Sequence, residues 1–264
     1  MRIGIIGASG FIGRHLCELF SNHSENTIIV WNRHSHGDFL SKENREKFLD
    51  SNHLDLIYQL AWTSIENVNY RQNPQNIFFA EATIDLVESC LRRSSRIIII
   101  GTQFNDEIPS IDKYQSAKAF LWDSISQFPP DLIFYIRPTY IFSLPELRPH
   151  LFRSFLGWVY EGKKPENFLL RSPRKQIDLI HVKDVAESLF RISTHLSLGT
   201  NVTIASGLSL SVENIIRFLE TRIVESDEML PLSEYTRTKF LPSENVLLFN
   251  RNTLSFFGLS DTIF

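Results

Sequence analysis

The chain has 264 residues and a formal net charge of −3 at pH 7, and hydrophobic residues make up 43% of it. This length exceeds that of a mini-protein and accommodates one large α/β domain, with or without a small appended lobe. The 27 lysine and arginine residues are scattered along the chain, and the pI is near 6.2. We therefore expect no basic surface for a nucleic acid.

Three sequence features indicate the cellular setting. No stretch approaches the ~20 apolar residues of a membrane-spanning helix. The first predicted strand begins at residue 2 or 3, which leaves no room for a signal peptide. Cys17 and Cys90 both fall on predicted helices among apolar neighbours, so we interpret them as reduced core residues. Together these features predict a cytoplasmic protein with no membrane partner.

Three glycines at G-x-x-G-x-x-G spacing follow an apolar strand at the start of the chain. Residues 3–6 predict a buried strand, and apolar residues at helical spacing follow from Phe11 onward. Gly7 allows the backbone angles of a tight turn, Gly10 leaves room for a pyrophosphate, and Gly13 lets the helix approach the strand. The first N–H groups of such a helix face the phosphates. The order of strand, turn and helix predicts a dinucleotide site, although glycine triplets also occur by chance in turns.

Strands and helices alternate through most of the remaining chain. Further strands are predicted at 27–31, 55–61, 96–101, 132–137 and 202–205. Helices are predicted at 42–51, 74–92, 115–128, 182–193 and 212–221. The second of these helices carries one apolar stripe, formed by Ile77, Ala80, Ile84, Val87 and Leu91. Such alternation predicts a parallel sheet covered on both faces, and the prolines after Pro138 predict a small lobe that forms a substrate crevice with the sheet edge.

A tyrosine and a lysine stand one helical turn apart in the segment Tyr114-Gln-Ser-Ala-Lys118. Because a nearby ammonium favours the phenolate, we expect Lys118 to lower the pKa of Tyr114 and let it exchange a proton with an alcohol or carbonyl. Taken alone, this spacing is more common for a surface tyrosine beside a solvated lysine. Thr102 ends the predicted strand 96–101, at the sheet edge where open α/β proteins bind ligands. Its hydroxyl is placed to hold a reacting oxygen.

Six motifs, taken in order, resemble those of the extended short-chain dehydrogenase/reductases, the NAD-dependent epimerase/dehydratases of nucleotide sugars. They are the glycine turn, Asp55-Leu-Ile-Tyr-Gln-Leu-Ala61, Thr102 with Tyr114 and Lys118, Arg137-Pro138-Thr139, the segment 177–186 and the segment 199–207. The resemblance implies an α/β fold, a Rossmann-type doubly wound parallel sheet with a small C-terminal substrate-binding lobe. We assign residues 1–140 with 177–206 to the NAD(P)-binding domain, and residues 141–176 with 207–264 to the lobe.

The resemblance also implies a catalytic set. Tyr114 would be the general acid/base, Lys118 would hold the nicotinamide ribose and tune the tyrosine, and Thr102 would orient the substrate carbonyl. The segment between Thr102 and Tyr114 is shorter than in the family, so Ser110 and Ser116 stay open as alternative hydroxyls.

One departure from the family pattern and one similarity to a branch of the family narrow the choice of reaction type. The nucleotide-sugar 4,6-dehydratases carry an Asp-Glu pair after the threonine, whereas this chain has Gln103 and Phe104, which disfavours dehydration. The segment 37–39, Gly-Asp-Phe, follows the second strand closely, as in the dTDP-4-dehydrorhamnose reductase branch. This similarity favours a nucleotide-sugar 4-ketoreductase.

The choice of cofactor depends on the end of the second strand. An acid there would bind the ribose 2′-hydroxyl of NAD, whereas an arginine would accept the 2′-phosphate of NADP. The chain has Asn32 and Arg33 and no acid before Asp38, which favours NADP(H) and leaves NAD(H) open. Two of these residues also have an alternative role that involves no cofactor. Arg33 would be a solvated surface residue, and Asp38 would cap the helix that begins at Lys42. Under the resemblance Asp38 and Phe39 border the adenine, and the other cofactor-binding residues are Ser9, Phe11, Ile12, Leu60, Ala61, Trp62, Arg137, Pro138 and Thr139.

Substrate-binding residues are predicted at Asn76, Gln103, Arg171 and Arg174. The two arginines precede the segment 177–186, where a basic cluster would bind a diphosphate, but a solvated loop explains them equally well. Asn76 matches a family asparagine that faces the active site, and helix capping explains it nearly as well. The eight histidines show no metal-ligand spacing, so we predict no metal site.

These observations predict an NADP(H)-dependent oxidoreductase that reduces the 4-keto group of a nucleotide-activated (deoxy)sugar, with Tyr114 as the general acid. The alternatives are a nucleotide-sugar 4-epimerase with tightly bound NAD, and a non-catalytic cofactor-sensing or scaffolding protein on the same fold. The resemblance also implies a homodimer, formed through the predicted helices 74–92 and 115–128.

Overall fold

The computed structural model describes residues 1–23, 25–63, 70–103, 112–143, 173–194, 201–224, 236–237, 246–257 and 259. Contacts divide the chain into two compact units. The first is Met1–Pro138 with Ala186–Thr203, and the second is Thr139–Val185 with Ile204–Phe264. The division of labour into a cofactor domain and a substrate lobe stays a prediction.

The strands among the described residues are β1 (Arg2–Ile6), β2 (Thr27–Val30), β3 (Leu56–Gln59), β4 (Arg96–Ile100), β5 (Ile133–Pro138), β6 (Tyr140–Phe142), β7 (Gln176–His181), β8 (Asn201–Ala205), β9 (Leu208–Ser211), β10 (Thr236–Arg237) and β11 (Val246–Leu248). The helices are α1 (Phe11–His23), α2 (Arg33–His36), α3 (Lys42–Asn52), α4 (Gln75–Arg92), α5 (Lys113–Ile125), α6 (Val182–Thr194), α7 (Val212–Val224) and α8 (Arg251–Phe256). A 3₁₀ turn, Tyr70–Gln72, precedes α4.

The first unit is built on parallel strands in the order β8-β5-β4-β3-β1-β2. All four pairings among β1 to β5 are parallel. Residues 97–99 of β4 are almost completely buried, as a strand covered on both faces requires. The Rossmann-type α/β class is confirmed, and the carboxyl ends of β1, β3 and β4 lie along one edge of the sheet, where ligands bind in such folds.

Several boundaries differ from the sequence prediction for local reasons. Helix α5 begins at Lys113 because the Asp112 carboxylate accepts the backbone N–H groups of Tyr114 and Gln115 and so caps the helix. The apolar stripe predicted on α4 is only partly internal: Ala80 and Val87 are buried, whereas Ile77 is exposed. Short elements that carry no periodic signal were not predicted: α2, α8, β6, β7 and β9 to β11.

The second unit contains a small sheet in the order β10-β9-β7-β6. Its centre is the buried carboxylate of Asp178 on β7. This group accepts hydrogen bonds from the Thr139 hydroxyl at 2.8 Å, the Ser206 N–H at 3.0 Å and the Gly207 N–H at 2.9 Å. These bonds satisfy the buried charge and tie three segments of the unit together.

No helix in the part of the chain that the structure describes has the length and hydropathy needed to cross a membrane.

Candidate active site

The glycine turn between β1 and α1 has the geometry of a phosphate cradle. Gly7 has φ +90°, and a Cβ there would lie 2.7 Å from the backbone nitrogen of Ala61. A Cβ on Gly13 would lie 2.2 Å from the carbonyl oxygen of Gly7, so only glycine lets α1 approach the turn this closely. Among the described residues, a Cβ on Gly10 would have only the Gly7 carbonyl within 4 Å, with its oxygen at 3.0 Å. Gly10 therefore faces open space, and the cradle fits the pyrophosphate of a dinucleotide. Ser9, Phe11 and Ile12 lie in the turn and the first turn of α1, as predicted.

The end of β3 is held in place by Gln59. Its side-chain amide donates to the Thr83 hydroxyl on α4 at 3.0 Å and accepts the backbone N–H of Ala61 at 3.3 Å. Gln59 is buried, and its amide does not titrate. The segment Leu60-Ala61-Trp62 is thereby fixed against α4 at the same sheet edge as the glycine turn.

Thr102, Tyr114 and Lys118 come together where β4 ends and α5 begins. The Thr102 side chain interacts with the Tyr114 phenol and opposes the rise of its pKa. The ammonium nitrogen of Lys118 is buried, donates to the Ile100 carbonyl at 2.7 Å, and lies 5.8 Å from the centre of the Tyr114 ring. The three residues that the sequence indicated are thus neighbours, while Ser116 lies exposed on α5 and Ser110 falls outside the described residues.

The pKa of Tyr114 moves opposite to the sequence expectation. Burial raises the pKa of its phenol above the ordinary value, the negative field of Tyr70 adds to the rise, and the hydrogen bond from Thr102 opposes it. The expectation that Lys118 lowers the pKa of Tyr114 is wrong for the protein without a bound ligand, because the lysine ammonium is directed at the Ile100 carbonyl. Burial also lowers the pKa of Lys118 well below its usual range. Tyr114 is consequently a protonated phenol at neutral pH.

Aromatic rings that the sequence pattern did not bring together enclose this group. The Lys118 nitrogen lies 3.4 Å from the centre of the Trp62 ring, and the Trp62 and Tyr70 rings meet the Tyr114 ring edge-on at 6.1 and 5.3 Å. The Trp62 indole N–H donates to the Asn76 side-chain oxygen at 2.6 Å. These contacts shield the buried lysine from water and cover part of the half-buried tyrosine.

The side chain of Asn76 is fully committed to protein partners. Its NH₂ group donates to the carbonyls of Tyr70 at 2.7 Å and Asn73 at 2.9 Å, while its oxygen accepts from Trp62. It does not cap α4, whose N-cap is Pro74. Its predicted contact with substrate stays a prediction, and its observed role is to seat Trp62.

Asp112 and Arg71 also belong to the site, although the sequence motifs did not indicate them. The Asp112 carboxylate caps α5 and also accepts Arg71 at 3.1 Å. Arg71 in turn donates to the Tyr70 hydroxyl at 3.2 Å. An aspartate two residues before Tyr114 is a recognisable N-cap signal, whereas the Arg71 contact arises only from the tertiary fold.

At the end of β2 the predicted cofactor residues form a short surface segment. Asn32 caps α2 by accepting the His34 N–H at 2.8 Å. The exposed guanidinium of Arg33 lies 3.7 Å from the Asp38 carboxylate, a separation at which an exposed pair contributes little. Asp38 accepts the Leu40 N–H, but the N-cap of α3 is Ser41, so the alternative of Asp38 as that cap is wrong. Phe39 is buried and stacks on Phe79.

The remaining predicted residues lie in different settings. Arg137 and Pro138 end β5, and the buried Nε of Arg137 has no hydrogen-bond partner among the described residues. Thr139 is engaged with Asp178 in the second unit. Gln103 follows Thr102 and is partly buried, Arg174 is exposed, and Arg171 falls outside the described residues. Over the described ranges, His, Cys, Asp and Glu form no group of three or more that could hold a metal ion.

Residues 3–118 match the model of the NAD dependent epimerase/dehydratase family. The match contains the glycine turn, Thr102, Tyr114 and Lys118, and it confirms the resemblance over that part of the chain. None of the curated protein sequences matches the chain significantly.

Solved structures with similar folds include a synthase, a reductase and an epimerase. A GDP-D-glycero-L-gluco-heptose synthase from Campylobacter jejuni, determined in the presence of NADPH, aligns with a TM-score of 0.67 at 13% identity, over 96% of this chain and 92% of that chain. A dTDP-4-dehydrorhamnose reductase from Bacillus anthracis in complex with NADP aligns with a TM-score of 0.66 at 14% identity, over 98% and 92%. A UDP-glucose 4-epimerase from Thermus thermophilus in complex with NAD aligns with a TM-score of 0.61 at 16% identity, over 100% and 95%. At these identities the similarity establishes the fold.

Proposed function

We propose that this chain is an NADP(H)-dependent oxidoreductase that reduces the 4-keto group of a nucleotide-activated deoxysugar. The observation that carries the proposal is the placement of the Tyr114 phenol beside the Thr102 side chain, with Lys118 one helical turn further along α5. The family match over residues 3–118, and the folds of a synthase and a reductase studied with NADPH or NADP, support the same class of reaction.

The residues at the sheet edge fit a dinucleotide. The glycine turn offers an open cradle at Gly10, and α1 begins at Phe11 with its N–H groups directed at that cradle. The exposed guanidinium of Arg33, at the end of β2, is suited to a 2′-phosphate, which favours NADP(H) over NAD(H). When bound, the nicotinamide supplies the hydride for the carbonyl carbon.

The protein residues supply the proton and hold the reacting oxygen. Tyr114 keeps its proton at neutral pH because burial raises its pKa, so it can donate that proton to the substrate oxygen as negative charge develops there. The Thr102 hydroxyl, which acts on the same phenol, is proposed to bind the same oxygen. The Lys118 ammonium stabilises the tyrosinate that remains after transfer.

The residue after Thr102 supports the choice of reaction. Gln103 gives no carboxylate there for the removal of water, so a ketone reduction suits the site better than a dehydration. Asn76 and Gln103 are proposed to face the sugar, and Arg171 and Arg174 to bind the diphosphate.

A nucleotide-sugar 4-epimerase is the second candidate. The similarity to the Thermus thermophilus epimerase along the entire chain favours it, and its chemistry would use the same tyrosine in both directions. Such an enzyme would retain NAD tightly instead of consuming NADPH.

The experiment that tests the proposal supplies purified protein with NADPH and a panel of nucleotide-activated 4-keto sugars. A reductase consumes one NADPH for each alcohol formed, whereas an epimerase interconverts nucleotide sugars with no net NADPH consumption. Absence of both activities over the panel would overturn the proposal.

We also propose a cytoplasmic homodimer. The large apolar side chains Ile77 and Phe78 on α4 and Phe120 on α5 are exposed in the single chain, as the predicted interface requires. Cys17 and Cys90 are free thiols, which suits a reducing compartment. A monomer mass in light scattering would contradict the dimer.

A further inference from the structure

Tyr135 on β5 fills the space beside the turn that carries Thr102. Its side chain is fully buried, and it lies opposite Ile99 in the pairing of β4 with β5. A Cβ on Gly101 would lie 2.4 Å from the Tyr135 ring. The ring therefore occupies the volume that any side chain at Gly101 would need, and it packs directly against the residue before Thr102.

The hydroxyl of Tyr135 contacts both segments that carry the predicted catalytic residues. It donates to the backbone carbonyl of Lys118 at 3.3 Å. The backbone N–H of Thr102 also interacts with this hydroxyl and opposes the increase in the Tyr135 pKa that burial causes. One phenolic oxygen thus joins the end of β4 to the second turn of α5, and the Trp122 ring, 5.1 Å away, covers the Tyr135 ring.

Tyr58 is a suitable control, because it is a buried tyrosine that makes no contact of this kind between the end of β4 and α5. It lies on β3, is equally buried, and its hydroxyl donates to the Leu189 carbonyl of α6 at 3.0 Å. Both residues therefore contribute a buried ring and a hydrogen bond to a helix carbonyl. Of these two hydroxyls, only that of Tyr135 lies between the turn that carries Thr102 and α5.

We propose that Tyr135 is a positioning residue that fixes Thr102 relative to Tyr114 and Lys118 through its hydroxyl. The inference rests on the proposed function, since it assigns Thr102 and Tyr114 to one reacting oxygen. Both hydroxyls must reach that oxygen together, and a displacement of about 1 Å between them costs on the order of 10²-fold in rate.

The test compares Tyr135→Phe with Tyr58→Phe. Each variant keeps its ring and loses one buried hydroxyl, so the two are matched in volume and in the type of hydrogen bond removed. We expect Tyr135→Phe to lower kcat about tenfold or more while KM and the Kd for NADPH stay close to wild type. Tyr58→Phe is expected to retain kcat.

A second measurement does not depend on activity. Amide hydrogen exchange at Thr102 is expected to accelerate in Tyr135→Phe and to stay at the wild-type rate in Tyr58→Phe, because only the first removes a hydroxyl packed against the turn that carries this N–H. Equal loss of kcat in both variants, or wild-type kcat and Thr102 exchange in Tyr135→Phe, would overturn the inference. If the wild-type protein reduces no nucleotide sugar while the exchange difference persists, the proposed function fails and the connection made by Tyr135 stands.

Discussion

The ammonium group of Lys118 lies 3.4 Å from the centre of the Trp62 ring and donates to the Ile100 carbonyl. Burial makes a charged ammonium unfavourable at this position. The face of the Trp62 ring and the Ile100 carbonyl offset part of that cost. The Trp62 ring is itself held by Asn76. A tryptophan predicted only as a cofactor contact therefore also stabilises the charge of the lysine.

Replacement of Trp62 tests this contact. In Trp62→Leu the loss of the π face lowers the pKa of Lys118 further, at a cost of about 1 to 2 kcal/mol for the charged form. NADPH binding is then expected to weaken, and its alkaline decline to begin at lower pH than in wild type. Trp62→Phe keeps a ring and should lie between the two. Titrations of NADPH at several pH values measure both effects, and identical profiles for wild type and Trp62→Leu would contradict the assignment.

Tyr114→Phe removes the proposed proton donor and leaves the ring in place. We expect reduction to fall by roughly 10²- to 10⁴-fold, as the loss of a general acid does, with the Kd for NADPH little changed. Stopped-flow assays and calorimetric titration give the two values. Tyr58→Phe serves as the control, because the hydroxyl that it removes is bonded to the Leu189 carbonyl of α6. Substantial activity in Tyr114→Phe would show that another group donates the proton.

The glycines of the turn have separable roles. Gly10→Ala points a methyl group into the open cradle, so NADPH affinity should fall by at least tenfold while Tm stays near wild type. Gly13→Ala forces a methyl group against the Gly7 carbonyl and should lower Tm as well as affinity. Thermal melts without cofactor, paired with binding titrations, distinguish the two. A loss of Tm in Gly10→Ala as large as that in Gly13→Ala would contradict the separation of the two roles.

Arg33→Ala addresses coenzyme preference. If the exposed guanidinium binds the 2′-phosphate, the variant loses about 10-fold or more in affinity for NADPH and little for NADH. Arg96→Ala, at the amino end of β4, removes the same charge from the opposite edge of the sheet and should change neither affinity. Equal losses for both coenzymes in Arg33→Ala would refute the NADP(H) preference.

Alkaline pH should destabilise the protein through its buried tyrosines. Burial raises the pKa of Tyr58 and Tyr135 above the value of about 10 that tyrosine has in the unfolded chain. Their contribution is complete below that pH and is lost as the pH rises toward the folded-state pKa, because the unfolded chain releases its protons first. Between its unfolded-state and folded-state pKa, each such tyrosine lowers the free energy of unfolding by about 1.4 kcal/mol per pH unit. Urea unfolding between neutral pH and pH ~11 should show a shallower decline in Tyr58→Phe, and an unchanged slope would contradict this account.

Most of the fold could be predicted because its signals are local. The run of residues 3–6, the glycine spacing and the helical periodicity each report on a few neighbouring residues, and the strands and helices predicted from them are present with small shifts of boundary. The small sheet of the second unit was not predicted, since strands of two to six residues that pair across the chain leave no periodic pattern.

By itself, the sequence determined the strand, turn and helix at the start of the chain, and the separation of Tyr114 from Lys118 by one helical turn. The tertiary structure alone decided that Trp62 covers the lysine, that burial raises the tyrosine pKa, and that the Tyr135 hydroxyl joins Thr102 to α5. The physical reason is that backbone conformation depends on local residue order, whereas desolvation and hydrogen bonding depend on segments that only folding brings together.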